Sequence, residues 1–411
     1  MAEIDAYVNR HRVGRLTKSA AKHFFSYDLD AQEAVSLTMP MRTESYLYEQ
    51  GLHPIFQMNL PEGALRLAIE RATAKQFGSD DLTLLSLLGN HQIGRLRYAL
   101  ADKTLPAETR AAPQLNDLLH SEDTALFSQL MARYAMASGV AGVQPKVLLD
   151  AFDDLPLITA HDIKLSSFKK VTLPLKKYIV KTWGPEFPEL ACNEFVCLSF
   201  AQHAKLITPR FYLSDNTKLL ISERFDVGSA DEALGFEDFC VLQGKPTAAK
   251  YDASIESCAN TLRLFVSPEH VQQALYDFFK LTLINVKIQN GDAHLKNYGI
   301  IYRNLAEFKS GALPSESRQF SPVYDVVSTT PYIPNDSMAL TLTGSKRWPK
   351  WQVLEKFGKQ HCGLTSKKIE QSVHEIEASA KLTLPIIEKL IQQQPAFEPV
   401  GEKIAELMMR N

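Results

Sequence analysis

Residues 290–299 read "NGDAHLKNYG", directly after "LYDFFKLTLINVKIQ" at 275–289. The upstream stretch is rich in Phe, Leu, Ile and Val and reads as a buried helix. The chain then delivers Asp292, His294, Lys296 and Asn297 within six residues. Asp292 and Asn297, five residues apart, offer oxygen ligands of the kind hard cations prefer. Magnesium is usually held by one or two side-chain oxygens plus waters and phosphates. An Asp in such a loop can also accept a proton from an attacking hydroxyl, and a Lys can neutralise a phosphate oxygen. Taken alone, the stretch also fits a polar helix C-terminus, with Gly291 as the cap and Lys296 answering the dipole.

Working outward, Asp325 in "FSPVYDVVS" lies 28 residues after Asn297, at the end of a strand-like run. It could be a second metal ligand. Upstream, "KKYIVKTW" at 176–183 alternates, with Tyr178 and Val180 on one face and Ile179 and Lys181 on the other. Lys181 therefore lies on a face that should be packed, or it snorkels from a strand end. Glu194, thirteen residues on, falls inside "PELACNEFVCLSFAQHAKL", which reads as a long amphipathic helix, and it could pair with Lys181. "SGVAGVQPK" at 138–146 has Gly139 and Gly142, which permit a tight turn whose N–H groups approach an anion. "LISERFD" at 220–226 is a strand whose backbone near Glu223–Phe225 could meet an adenine edge. Each piece is weak alone. Their order is the order a protein kinase needs: glycine turn, strand lysine, helix glutamate, hinge-like strand, Asp…Asn loop, late Asp. The eukaryotic signatures HRD and DFG are absent.

Composition bounds the rest. The chain has 411 residues, 45% apolar and 22% charged, with a net charge of −2. It carries no global basic field for nucleic acid and no run of apolar residues long enough for a membrane span. "MAEIDAYVNRHRVG" lacks the apolar core of a signal peptide, so a cytoplasmic protein is expected. Cys192, Cys197, Cys240, Cys258 and Cys362 fit no zinc spacing and read as buried thiols in a reducing compartment. "IDAYVNRHRVGRLT" predicts a hairpin turning near Asn9–Arg12, and "AVSLTMPM" at 34–41 another strand. "PEGALRLAIERATAKQF" and "LTLLSLLG" predict helices, and the Pro/Ala-rich 102–117 a linker. Nothing in the first hundred residues resembles chemistry. Strands come first and helices dominate later, which predicts an α+β fold of two unequal lobes with a cleft between them.

"SGVAGVQPKVLL", "YIVKTW…NEFVCLSFA", "ISERFD", "NGDAHLKN" and "VYD" together resemble the motifs of HipA, the serine/threonine kinase toxins of HipA–HipB modules. "VNRHRVGRLT" and "NLPEG" resemble the small domain that precedes the kinase in that family. The resemblance implies a two-lobed protein-kinase-like fold with a small N-terminal α+β subdomain. That subdomain would span 1–103 and the kinase domain 104–411, with an N-lobe over about 118–245 and a C-lobe over about 246–411. It implies ATP and Mg²⁺, and phosphate transfer to a protein serine or threonine. The family's target is an aminoacyl-tRNA synthetase, whose loss inhibits translation. The implied partner is a small helix-turn-helix, HipB-like antitoxin, with DNA contacted only through it and no membrane involved.

Position by position, Asp292 resembles the catalytic base, and Asn297 and Asp325 the metal ligands. Lys181 resembles the lysine on the phosphates, with Glu194 as a possible partner. Glu223, Arg224 and Phe225 resemble the adenine hinge. Gly142, Val143, Gln144 and Lys146 fall in the phosphate-side loop, and His294 and Lys296 are further ATP contacts. Ser138 matches a serine that becomes autophosphorylated, which would mark an inactive form. "KTWGP" departs from the family pattern, in which the residues after the lysine are smaller or a proline. Two other readings stay open: a small-molecule phosphotransferase of related fold, and a non-catalytic co-repressor that binds an antitoxin.

Overall fold

The structure is a computed structural model that describes residues 3–49, 51–73, 80–105, 112–123, 125–134, 144–153, 175–228 and 232–410. Its first unit is a five-stranded antiparallel sheet of β1 Glu3–Val8, β2 His11–Ser19, β3 Lys22–Tyr27, β4 Tyr46–Tyr48 and β5 Leu96–Leu100, in the order β4-β3-β2-β1-β5. The expected hairpin joins β1 to β2. Asn9 and Arg10 take φ of +46° and +76°, and two positive φ values in a two-residue turn match the right-handed twist of the flanking strands. Helices α1 Pro54–Gln57, α2 Gly63–Thr73 and α3 Asp81–Leu87 cover one face. Phe56, Leu65, Leu82 and Leu85 pack there against Ile4, Val8, Leu16 and Phe25. Asp80 starts α3 by accepting from the N–H groups of Leu82 and Thr83.

No strand forms over 34–41, contrary to the sequence reading. The alternation there has a different cause. Ala34, Leu37 and Met41 are buried in the core of the C-terminal half, while Val35 and Met39 are buried in the core of the N-terminal sheet. The segment is wedged between two cores. Its backbone bonds go to a distant loop, from Ala34 N to Leu305 O at 3.2 Å and from Met41 N to Phe308 O at 2.9 Å.

The second sheet holds β6 Lys146–Phe152, β7 Leu175–Lys181, β8 Phe211–Leu213 and β9 Leu220–Glu223, antiparallel in the order β6-β7-β9-β8. Helices α4 Leu115–Leu119 and α5 Leu126–Tyr134 cover one face, where Leu115, Leu118 and Tyr134 meet Val147, Tyr178, Val180 and Ile221. Part of the expected linker is therefore this covering helix. Helix α6 Leu190–His203 is not amphipathic as expected, for it buries Ala191–Glu194 and Val196–Ala201. It lies between this sheet and helix α11, which leaves Gln202 near its end as its exposed residue.

The C-terminal half holds α7 Phe239–Leu242, α8 Ile255–Phe265, α9 Val271–Lys287, α10 Trp351–Gln360, α11 Ser366–Gln393 and α12 Glu398–Met409, with a small sheet β10 Gly235–Asp238, β11 Gly299–Tyr302 and β12 Arg318–Phe320. Helix α9 is the expected buried helix: Phe278, Phe279, Leu281 and Ile284 are all core residues. Each such side chain stabilises by about 1.5–3 kcal/mol when fully buried. All five cysteines are free and buried. Among the described residues no helix is long and apolar enough to cross a membrane.

Buried polar bonds fix the N-terminal unit to the rest. The Glu237 carboxylate accepts from Ser36 Oγ at 2.7 Å, Leu37 N at 2.8 Å and Tyr302 Oη at 2.5 Å. Asp226 Oδ2 accepts from Gly94 N at 2.6 Å, and Arg224 Nη2 donates to Gln92 O at 2.8 Å.

Candidate active site

A cleft of about 980 Å³ lies where the three parts meet, lined from all of them. Lys181 is the last residue of β7. The strand alternation sends Tyr178 and Val180 under α4 and α5 and turns Ile179 and Lys181 to the cleft, as expected. The lysine does not snorkel: it is 5% exposed. Its Nζ bonds Glu194 Oε1 at 2.5 Å and ion-pairs with the Asp325 carboxylate. Burial alone would lower the Lys181 pKa, but Asp325 and Glu194 outweigh it and hold it raised. For Asp325, burial works upward and is outweighed by Lys181 and Lys146, which keep it well below the usual carboxylate range. Burial keeps Glu194 raised, and its Oε2 has no hydrogen-bond partner.

Asp325 does not end a strand, since residues 321–328 form none. Its φ is +52°, and a non-glycine residue held there marks a loop fixed by its surroundings. Lys146 is not a loop residue either. It opens β6, pairs in register with Lys181, and is buried, which lowers its pKa. Gln144 Nε2 donates to Thr182 O at 3.0 Å. Ser138, Gly142 and Val143 lie outside the described residues.

The loop after α9 supplies the next group. The turn out of the helix falls on Gln289, with φ +52°, rather than on Gly291. Gly291 is small for another reason: a Cβ there would sit 1.9 Å from Asp336 Oδ2. Asn297 Nδ2 donates to Asp292 O at 3.3 Å and Asp325 O at 3.2 Å, tying the two loops together. Two carbonyl acceptors fix which end of the amide is nitrogen. Asn297 Oδ1 is left buried and without a partner. An orphaned oxygen beside the Asp325 loop is what a magnesium ligand needs. Among the described residues no three His, Cys, Asp or Glu side chains cluster to hold a metal.

The Asp292 carboxylate is 51% exposed, and its Oδ1 lies 3.9 Å from His294 Nε2. Burial pushes the His294 pKa down to about 4, so the ring is neutral at pH 7. Lys296 lines the cleft, but its Nζ bonds Glu62 Oε1 at 2.8 Å and lies 3.9 Å from Asp238 Oδ2. The expected ATP contact is thus already in an internal ion pair. Burial raises the Glu62 pKa, but Lys296, Lys250 and Lys146 prevail and keep it lowered. Glu62, in "NLPEG", shows that the N-terminal unit does carry charge into the site, which the sequence reading missed.

Glu223 ends β9. Its carboxylate bonds Arg210 Nε at 2.6 Å and Lys176 Nζ at 2.9 Å. The Arg224 guanidinium bonds Asp226 and the Gln92 carbonyl. Their charged ends are engaged elsewhere, and the N–H groups of Glu223 and Arg224 donate to Arg210 O and Lys177 O, both at 2.8 Å, so what this stretch can offer a purine is the Phe225 backbone and ring. That ring packs 5.4 Å from both Phe236 and Tyr324. Ile179, Leu198 and, from the N-terminal unit, Met58 and Ile93 complete an apolar end of the cleft. Trp183, in the departing "KTWGP", also lines it, with Lys218 Nζ 4.1 Å from its ring.

Comparison with known proteins bears on the family and the fold. The HipA-like C-terminal domain family matches residues 138–383, and the HipA N-terminal domain family matches residues 4–99. Two Sinorhizobium fredii proteins with provisional kinase names are similar. Y4dM is 24% identical over 386 residues, covering 87% of this chain and 81% of its own. Y4mE is 27% identical over 339 residues, covering 76% and 72%. The HipA of Shewanella oneidensis, solved in a complex with HipB and its operator DNA, shares the fold with a TM-score of 0.65 and 18% identity, covering 98% of this chain and 96% of that one.

Proposed function

The chain belongs to the HipA family, and from that premise we propose that it is an ATP- and Mg²⁺-dependent serine/threonine protein kinase, the toxin of a type II toxin–antitoxin module. One observation carries the reading. Lys181 bonds Glu194 and also Asp325, 144 residues away in sequence, beside the orphaned Asn297 Oδ1. A lysine, two carboxylates and an amide oxygen brought together in a cleft are the parts phosphoryl transfer uses. Asn297 and Asp325 would hold Mg²⁺, which when bound would neutralise charge on the phosphates. Lys181 would hold phosphate oxygens. Asp292, exposed at the cleft, would take the proton of an attacking serine or threonine hydroxyl as its oxygen bonds the γ-phosphorus and ADP leaves. The apolar end around Ile93, Ile179, Phe225 and Tyr324 would take the adenine.

The family resemblance extends the proposal to an aminoacyl-tRNA synthetase as target, to a small helix-turn-helix antitoxin, and to autophosphorylation at Ser138 that ends activity. The Shewanella complex with HipB and DNA supports the antitoxin. Incubation with γ-labelled ATP, Mg²⁺ and cell lysate tests the core reading. Label is expected on protein serine or threonine. Asp292→Asn should lower transfer by roughly 10²–10⁴-fold, the usual scale for a general base, while the ATP-dependent thermal shift persists. Label on a small molecule, or transfer within tenfold of wild type in the variant, removes the reading. Mass spectrometry of both proteins should find phosphate on Ser138 only where Asp292 is intact.

A further inference from the structure

Asp292 is a carboxylate half in solvent, and a base so placed can rotate away from its acceptor. One side chain prevents this. Tyr251 Oη donates to Asp292 Oδ1 at 2.7 Å. Among the described residues it is the one hydrogen-bond donor to that carboxylate. We propose that Tyr251 is a positioning residue for the Asp292 base, pinning one oxygen so that the other faces the acceptor hydroxyl.

The tyrosine is itself held in place. Its ring meets His294 edge-on at 5.1 Å, and Lys250 Nζ lies 5.3 Å from its centroid. The backbone on either side is tied down. Leu295 N donates to Lys250 O at 3.1 Å, which joins this turn to the Asp292 loop, and Lys346 Nζ donates to Tyr251 O at 3.4 Å. Burial and the Asp292 bond keep the phenol protonated, so it acts as donor and Asp292 as acceptor. Tyr251 is nonetheless 40% exposed and lines the cleft, where an incoming protein segment would pass. Fixing a base within a fraction of an ångström is worth a large part of its rate contribution.

The proposal rests on the kinase reading, and its test separates the two. The full chain is assayed for transfer from γ-labelled ATP–Mg²⁺ to lysate protein, as wild type, Tyr251→Phe and Tyr251→Leu. The phenylalanine keeps the ring against His294 and loses only the hydroxyl. Its kcat should fall roughly 10- to 100-fold, the scale of a misplaced reacting group. Its KM for ATP and its ATP–Mg²⁺ thermal shift should stay at wild-type values. Tyr251→Leu should lose at least as much. A phenylalanine variant within twofold of wild type overturns the proposal, because only the ring would then matter. A fall in kcat accompanied by loss of the ATP thermal shift also overturns it, because the site as a whole would have collapsed. Phosphate found on Tyr251 itself would make it an acceptor and overturn the positioning role. A wild type that transfers no phosphate to protein sinks the kinase reading and this proposal with it.

Discussion

Lys181 is the residue on which the site turns, and its surroundings change what its removal should do. A lysine whose only task is to meet ATP could be cut away with little cost to the free protein. Here Lys181 stands between Glu194, with which it forms a buried pair, and Asp325, whose side chain is 32% exposed at the cleft. Lys181→Met would leave two acids facing each other, with Lys146 the remaining cation in the group. Breaking a buried pair on one side typically costs about 3–5 kcal/mol. The expected outcome is a clearly lower melting temperature without nucleotide and no stabilisation by ATP–Mg²⁺. A variant that melts like wild type would show that the pair is not formed in solution. Much of this cluster was legible in the sequence, because strand alternation and a helix glutamate thirteen residues on are local patterns. The left-handed φ of Asp325 was not: it is imposed by loops that pack far from it in sequence. Nor was the diversion of Lys296 to Glu62, whose partners lie 234 residues apart.

Elements behaved as their periodicity said wherever one face met one core. Strand β7 and helix α9 are such cases. Helix α6 and the 34–41 segment are not, since each is enclosed on two sides, and hydropathy cannot tell which of two cores a side chain enters. Helices α9 and α11 are joined by a polar contact that pattern reading also passes over. Lys280, 2% exposed, bonds Glu375 Oε2 at 2.9 Å, and Glu375 Oε1 accepts from Lys205 at 3.2 Å and Gln371 at 3.1 Å. Burial raises the Glu375 pKa, but Lys280, Gln371 and Lys205 outweigh it and bring it down to about 2. Glu375→Gln should destabilise the fold by about 3 kcal/mol at pH 7 by leaving Lys280 buried without its countercharge. The folded pKa lies below the ordinary value of 4.5, so the contribution is complete above pH 4.5 and is lost as pH falls through about 2. Denaturant melts should therefore show a gap between wild type and variant that is steady from pH 7 down to about pH 5 and narrows below the ordinary value of 4.5. A gap that stays constant would mean that Glu375 acts by packing and not by charge.

At the scale of the whole molecule, the N-terminal unit is a third wall of the cleft rather than an appendage on a linker. Pattern reading could not find this, because a wall needs no catalytic motif: Met58 and Ile93 are ordinary apolar residues, and Glu62 is an ordinary acid before a helix. What makes them part of the site is the docking through Glu237, Asp226 and the wedged 34–41 segment. Glu62 then reaches Lys296 and lies 3.7 Å from Lys250, next to the loops that carry Asn297 and Tyr251. If the unit braces those loops, Glu62 and Lys296 must be energetically coupled, and a double-mutant cycle measures it. Glu62→Gln alone should cost stability and slow phosphoryl transfer, since Lys296 is left with Asp238 at 3.9 Å. Lys296→Met alone should also be costly, leaving Glu62 with Lys250. The double variant removes both charges together and should cost less than the sum, by on the order of 1–3 kcal/mol for partners in one buried network. Losses that simply add would show that the unit covers the cleft without bracing it, and that the Asp292–Asn297 loop keeps its shape unaided.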